Sequence, residues 1–178
     1  MDKLLNEKFF NQDTSLVAQE LLGKFLVRNI NGKEIALIIT ETEAYDGPND
    51  KASHASKGKT ERTKVMFGKP GIFYVYLCYG MHYMLNIVTR EKEYPAAVLI
   101  RGVVAQNSSI VLNGPGKVTK FLKIDKNLNT QKAEKKSGLW FEDRGMQQGK
   151  IQKTPRIGVA YAGPLWASKK LRFMIQNV

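Results

Sequence analysis

Two spacings of apolar residues organise this chain. Leu16, Val17, Leu21 and Leu22 fall on one face at helical spacing, behind the capping candidates Asp13, Thr14 and Ser15 and ahead of a stop at Gly23, so a short helix is expected there. Residues 24–29 and 33–40 follow strand spacing instead. They flank Asn31-Gly32, a dipeptide suited to the positive φ angles of a tight hairpin. Along the second strand Ile35, Leu37 and Ile39 share one parity, and a continuing strand places Glu41, Glu43 and Tyr45 on that same side, at the end of a buried face.

Gly47-Pro48-Asn49-Asp50 breaks the strand, and residues 51–69, which mix small residues, glycine and many cations, read as a functional surface loop. Residues 72–88 are rich in aromatic and β-branched side chains around Gly80, which predicts a second hairpin turning at Tyr79-Gly80-Met81 with Tyr79 near an exposed tip. Residues 96–105 read as a largely buried strand interrupted by Arg101. Asn113-Gly114-Pro115-Gly116 then introduces a helical pattern over 117–124, an arrangement able to present backbone N–H groups and Lys117 to an anion. Residues 125–137 are lysine-rich and polar and read as an exposed loop, and 156–161 and 171–175 read as short closing strands. No internal repeat is present.

The length of 178 residues suits one domain with a core that needs neither disulfide nor structural metal. The formal charge of +12 predicts attraction to polyanions, nucleic acid before an anionic membrane, with affinity that falls as salt rises. No apolar run approaches the roughly 20 residues of a spanning helix, and the N-terminal residues lack a secretory h-region, so an intracellular protein is expected, in the cytoplasm or nucleoid if bacterial. One cysteine, Cys78, and two histidines, His54 and His82, cannot assemble the usual zinc sites. Chemistry must come mainly from carboxylate, arginine, tyrosine and histidine.

Arg101 lies in an apolar strand, where a guanidinium is costly unless it meets a carboxylate or phosphate, and Glu43 is a natural partner. The plainer readings are a structural ion pair, or an arginine on a solvated face. Glu43 could draw a proton from water if it stays ionised near neutral pH, or it could be an exposed strand-end acid like Glu41. Tyr45, Tyr74, Tyr76, Tyr79 and Tyr83 cluster around the cationic loops, and rings there can stack on bases at roughly 1–3 kcal/mol each, although strand tyrosines are commonly packing residues. His54, in the basic loop, could stack or hydrogen-bond.

These same residues carry a resemblance. Ile39-Thr40-Glu41-Thr42-Glu43-Ala44-Tyr45, Ser53-His54-Ala55, Thr60-Glu61-Arg62, Met66-Phe67-Gly68-Lys69-Pro70-Gly71, Tyr74-Val75-Tyr76-Leu77-Cys78-Tyr79-Gly80-Met81, Leu85-Asn86-Ile87, Leu99-Ile100-Arg101, Gly114-Pro115-Gly116-Lys117-Val118 and Arg156-Ile157-Gly158-Val159 run in order over nearly the whole chain. The series resembles that of the alkyladenine (3-methyladenine) DNA glycosylase family. The resemblance implies a compact α/β (α+β) domain spanning 1–178, built around a curved, mainly antiparallel β-sheet with short flanking helices. It implies neither a helix-hairpin-helix motif nor a metal or other cofactor.

Carried over position by position, the resemblance makes Glu43 the general base that activates water and Arg101 a residue that helps hold that water, with the main-chain carbonyl of Ile157 as a further water contact. Tyr45, His54 and Tyr76 would sandwich a flipped base, and Asn86 would crowd the exocyclic amine of normal guanine. Tyr79 would wedge the gap in the duplex; Met81, Thr60, Arg62 and Lys117 would belong to the DNA-contacting surface. The implied reaction is hydrolysis of the N-glycosidic bond of alkylated or deaminated purines (3-methyladenine, 7-methylguanine, hypoxanthine) in double-stranded DNA, by a monomer that leaves an abasic site without cutting the backbone. One departure is Glu61, where the family commonly has proline, which puts an acid near phosphate. Two other classes stay open on the residues alone: a non-catalytic nucleic-acid-binding domain, and a Mg²⁺-dependent nuclease using Glu41, Glu43, Asp46 and Asp50.

Overall fold

The fold is organised by one long strand that has different partners along its two halves. The structure, a computed structural model, describes residues 3–106 and 109–176. In chain order the elements are β1 (Lys3–Leu4), α1 (Glu7–Phe10), α2 (Thr14–Glu20), β2 (Phe25–Ile30), β3 (Lys33–Asp46), β4 (Phe73–Cys78), β5 (His82–Val88) and β6 (Ala96–Val104). There follow β7 (Val111–Asn113), α3 (Pro115–Phe121), β8 (Leu139–Asp143), β9 (Ile151–Thr154), α4 (Gly163–Ser168) and β10 (Arg172–Ile175). The strands form an antiparallel sheet in the order β1-β8-β2-β3-β6-β5-β4, with β7 on β6 and with β10 joining β3 to β9. This is the α+β architecture expected.

Both predicted hairpins form. Asn31 and Gly32 take φ 53° and 84°, and Tyr79 and Gly80 take 49° and 67°, the left-handed values that tight turns demand. The helix behind Asp13 also forms, with the Asp13 carboxylate accepting from the Leu16 amide, but Leu16 itself is exposed while Val17, Ala18, Leu21 and Leu22 are buried.

The parity expected along β3 fails. Leu37 and Ile39 face the main core, but the pairing of β3 with β6 slips on either side of Glu41, a double bulge in which Thr40 is extra on β3 and Arg101 on β6, so the register is recovered while the alternation along β3 is reversed beyond it. Thr42 and Ala44 therefore point inward, the Thr42 hydroxyl donating to the Ala18 carbonyl, and Glu41, Glu43 and Tyr45 turn to the opposite face.

The main core lies between the inward face and helices α2 and α3, with Leu26, Phe73, Ile100, Val118 and Phe141 among its members. Each such side chain contributes about 1.5–3 kcal/mol by leaving water. A smaller cluster of Ala55, Val65, Met66, Tyr74, Val88 and Ala97 seats the 51–69 segment on the opposite face. Residues 125–137 are less exposed than expected, for Leu128 and Ala133 are buried and two 3₁₀ turns shape the segment. The strand expected over 156–161 is instead a turn followed by a 3₁₀ helix and α4, because Gly158 and Gly163 adopt positive φ and Pro164 opens α4. Among the described residues no helix is long and apolar enough to cross a membrane.

Candidate active site

The bulge assembles a site by placing four strands in register on the outer face. Glu43 of β3 lies opposite Leu99 of β6, Leu99 opposite Asn86 of β5, and Asn86 opposite Tyr74 of β4. The adjoining row joins Tyr45, Ala97 and Val88. Side chains opposed in an antiparallel sheet project together, so this arrangement carries a carboxylate, an amide and two phenols onto one surface.

Glu43 is fully buried, which removes the reading of it as an exposed strand-end acid. Its Oε2 accepts from the Tyr45 hydroxyl at 2.8 Å and its Oε1 from the Ile157 amide at 2.8 Å. Arg101 Nε lies 3.5 Å from Oε1, but its closer partner is Glu41 at 2.9 Å, and Arg172 Nε binds the same Glu41 oxygen at 2.6 Å. Arg101 thus spans the two acids instead of serving Glu43 alone. Burial pushes the Glu43 carboxyl above the ordinary carboxylate range, while Arg101, the Ile157 amide and the Tyr45 hydroxyl oppose that rise. A carboxylate with a raised pKa is the stronger base once it is ionised.

Beside Glu43 lies a cleft lined by Tyr45, Ser53, His54, Met66, Tyr74, Tyr76, Asn86, Ala97 and Tyr161. The His54 and Tyr76 rings meet edge to face with centroids 4.7 Å apart, and Tyr74 and Tyr76 lie tilted at 5.1 Å. Burial, then the Arg62 and Lys57 cations, lowers the His54 imidazole to about 4, so the ring is neutral at physiological pH. Its Nδ1 lies 3.1 Å from the Tyr74 hydroxyl. Burial raises the Tyr45, Tyr74 and Tyr76 phenols, keeping each as an O–H. Asn86 is held by donating to the Tyr74 carbonyl at 3.1 Å and, at 3.4 Å, to that of Met84. A larger groove lies elsewhere, between the N-terminal segment and Lys24, Asp143 and Gln148, but it lacks a comparable aromatic cluster.

The sequence profile of methylpurine-DNA glycosylases matches residues 8–178. The chain belongs to that family. A relative from Methanocella arvoryzae is 46% identical over 90% of this chain and 86% of its own length; one from Legionella pneumophila strain Paris is 44% identical over 99% and 96%. Both carry the provisional name of 3-methyladenine DNA glycosylase. The chain is accordingly a DNA glycosylase, a monofunctional hydrolase of N-glycosyl bonds whose substrate is DNA.

Other residues singled out from this glycosylase's sequence rim the cleft or stand apart. Tyr79 is 92% exposed and Met81 71%, both at the β4–β5 tip, and Tyr79 is near enough to help raise the Tyr161 phenol. The Arg62 guanidinium sits 4.8 Å from the Tyr76 ring centre. Thr60 is exposed, but its hydroxyl is engaged with that of Thr63 at 3.0 Å. Lys117 is exposed in the first turn of α3, which comes so close to β5 that a Cβ on Gly116 would lie 2.9 Å from the His82 ring. Glu61 pairs with Lys64 at 2.6 Å, so its charge is matched within its own loop. Ile157 contacts Glu43 through its amide N–H, a contact additional to the water contact that the resemblance assigns to its carbonyl.

Sequence reasoning missed Tyr161, whose hydroxyl donates to the Ala52 carbonyl at 2.8 Å, and the buried Asp50–Arg156 pair. A signal for the pair existed: two charged residues beside turn glycines, Asp50 after Gly47 and Arg156 before Gly158. Among the described residues no group of three or more His, Cys, Asp or Glu is placed to hold a metal ion. Asp50 is bound by Arg156 and Glu41 by two arginines, which commits two of the carboxylates a nuclease reading required.

Proposed function

We propose that this glycosylase extrudes alkylated or deaminated purines from duplex DNA, 3-methyladenine, 7-methylguanine and hypoxanthine among them, and hydrolyses their N-glycosidic bond with Glu43 as the base. The observation that carries this reading is a buried carboxylate hydrogen-bonded to Tyr45, which walls a cleft together with His54 and Tyr76. A weakly paired lesion costs less to extrude than an intact base, and the rings return stacking energy. Tyr79, exposed at the hairpin tip, fills the space vacated in the helix.

Glu43 withdraws a proton from water, which attacks the sugar carbon as the base departs. Arg101 orients that water and sustains the carboxylate's charge. An alkylated purine leaves readily because it carries positive charge, and that charge is attracted to electron-rich rings. The neutral His54 adds a flat face without an opposing charge. Asn86, fixed by its carbonyl contacts, excludes guanine through its exocyclic amine. Arg62 and Lys117 contribute to phosphate neutralisation on the exposed rim.

The test is release of free base, with abasic sites left in the strand, from duplexes containing methylated purines or hypoxanthine, in EDTA. Glu43→Gln should slow single-turnover excision at least about 100-fold. Near-normal excision by the folded variant would remove Glu43 from this role, and DNA binding without turnover by the native protein would favour a binding module.

A further inference from the structure

Among the described residues the Asp50–Arg156 pair is the one ion pair with both side chains fully buried, and it touches three segments that build the site. Arg156 Nη1 donates to Asp50 Oδ2 at 2.5 Å and to the Ala44 carbonyl at 2.8 Å, and Nη2 donates to Asp50 Oδ1 at 2.8 Å. The same guanidinium lies 4.6 Å from the centre of the Tyr45 ring. Asp50 in turn accepts from the amides of Asp46 at 3.2 Å and Ala52 at 3.0 Å. The pair therefore clamps the end of β3, the start of the loop that bears His54, and the turn that carries Ile157.

A buried ion pair is a poor device for stability alone, since desolvation consumes much of what the charges gain. Here a further cost is visible, for the Arg156 Nε is buried without a hydrogen-bond partner. What the pair does provide is geometry. Arg156 directly precedes Ile157, whose amide caps one oxygen of Glu43, and it backs Tyr45, whose hydroxyl caps the other.

We infer that Asp50 and Arg156 are positioning residues that keep both donors on Glu43 and so set the pH at which it becomes a competent base. The inference rests on the assignment of Glu43 as that base. Loosening the clamp withdraws donors from a carboxylate already pushed upward by burial, and its ionisation moves to higher pH. The other groups facing Glu43 stay in place: Arg101 on β6, Glu41 on β3, Arg172 on β10, which is bound to Glu41, and the Tyr161 phenol.

The experiment compares the native protein with Arg156→Lys and Asp50→Asn, following single-turnover excision from a methylated duplex between pH 5 and 9. In parallel, the Glu43 carboxyl is titrated directly by carbon NMR without DNA. Both variants should shift the acid limb, and the NMR midpoint, upward by about one pH unit, the scale of one lost hydrogen bond to a carboxylate. A rate lowered equally at every pH, with an unmoved midpoint, would overturn the inference and leave the pair as scaffold. If Arg156→Lys does not fold, Asp50→Asn decides alone; failure of both to fold would equally overturn it. If the native protein excises nothing, the assignment of Glu43 fails, while the NMR midpoints still report whether the clamp controls its ionisation.

Discussion

The Tyr45 hydroxyl donates to Glu43 Oε2 at 2.8 Å from the same face of one strand, so the ring proposed to stack on the base also tunes the acid proposed to activate water. Tyr45→Phe separates the two functions. The ring remains, a donor to a buried carboxylate is lost, and the Glu43 ionisation rises further. The acid limb of single-turnover excision should move up by about one pH unit with lesion binding nearly unchanged. Tyr45→Ala should add a binding loss of about 1–3 kcal/mol, read by lesion-duplex titration.

Glu43 itself should make the fold less stable as pH rises. Its folded pKa is raised by burial, so its contribution favours the folded state while the carboxyl is protonated and is lost as pH rises through the folded value. Gln at this position does not titrate. The melting temperature of Glu43→Gln relative to the native protein should therefore increase between pH 4 and pH 8, and a difference independent of pH would contradict the raised value.

His54 should titrate near pH 4 by proton NMR, far below an ordinary imidazole, and stay neutral across the working range of the enzyme. Arg62→Ala removes a nearby cation and should raise that midpoint, while excision between pH 6 and 8 should show no limb attributable to His54. A midpoint near 6.5 would place the ring in water, outside the cleft.

Tyr79 is almost wholly exposed, so Tyr79→Ala should alter the melting midpoint by no more than about 0.5 kcal/mol of stability. Affinity for a lesion duplex should nevertheless fall by about 1–3 kcal/mol if the ring stacks in the helix. Equal binding by the variant, measured by fluorescence anisotropy, would deny it the wedge role.

Asn86→Ser shortens a buried amide fixed by two carbonyls and so tests its proposed role of crowding the guanine amine. Excision of normal guanine should rise relative to hypoxanthine. The ratio of the two single-turnover rates in matched sequence is the measurement, and an unchanged ratio removes Asn86 from discrimination.

Local chemistry made much of this protein legible in sequence. Asn31-Gly32 and Gly80 marked left-handed turns, which set two hairpins and left Tyr79 at a tip, because glycine and, less readily, asparagine reach such φ angles at little steric cost. Asp13 capped a helix for an equally local reason. The ordered motifs pointed to the family and to Glu43, Tyr45, His54 and Tyr76, which meet in or beside one cleft.

The tertiary structure decided what depends on partners distant in the chain. Strict alternation put Glu43 on the core face; the bulge at Glu41, produced by pairing with β6, put it on the other. Arg101 looked like a partner for Glu43 alone, yet Arg172, from the opposite end of the chain, joins it on Glu41. Residues 156–161 looked like a strand, but the segment turns where Arg156 meets Asp50 and the Ile157 amide reaches Glu43. Alternation and propensity act over a few residues, whereas a bulge or a buried ion pair is settled by which distant groups would otherwise lie buried without partners.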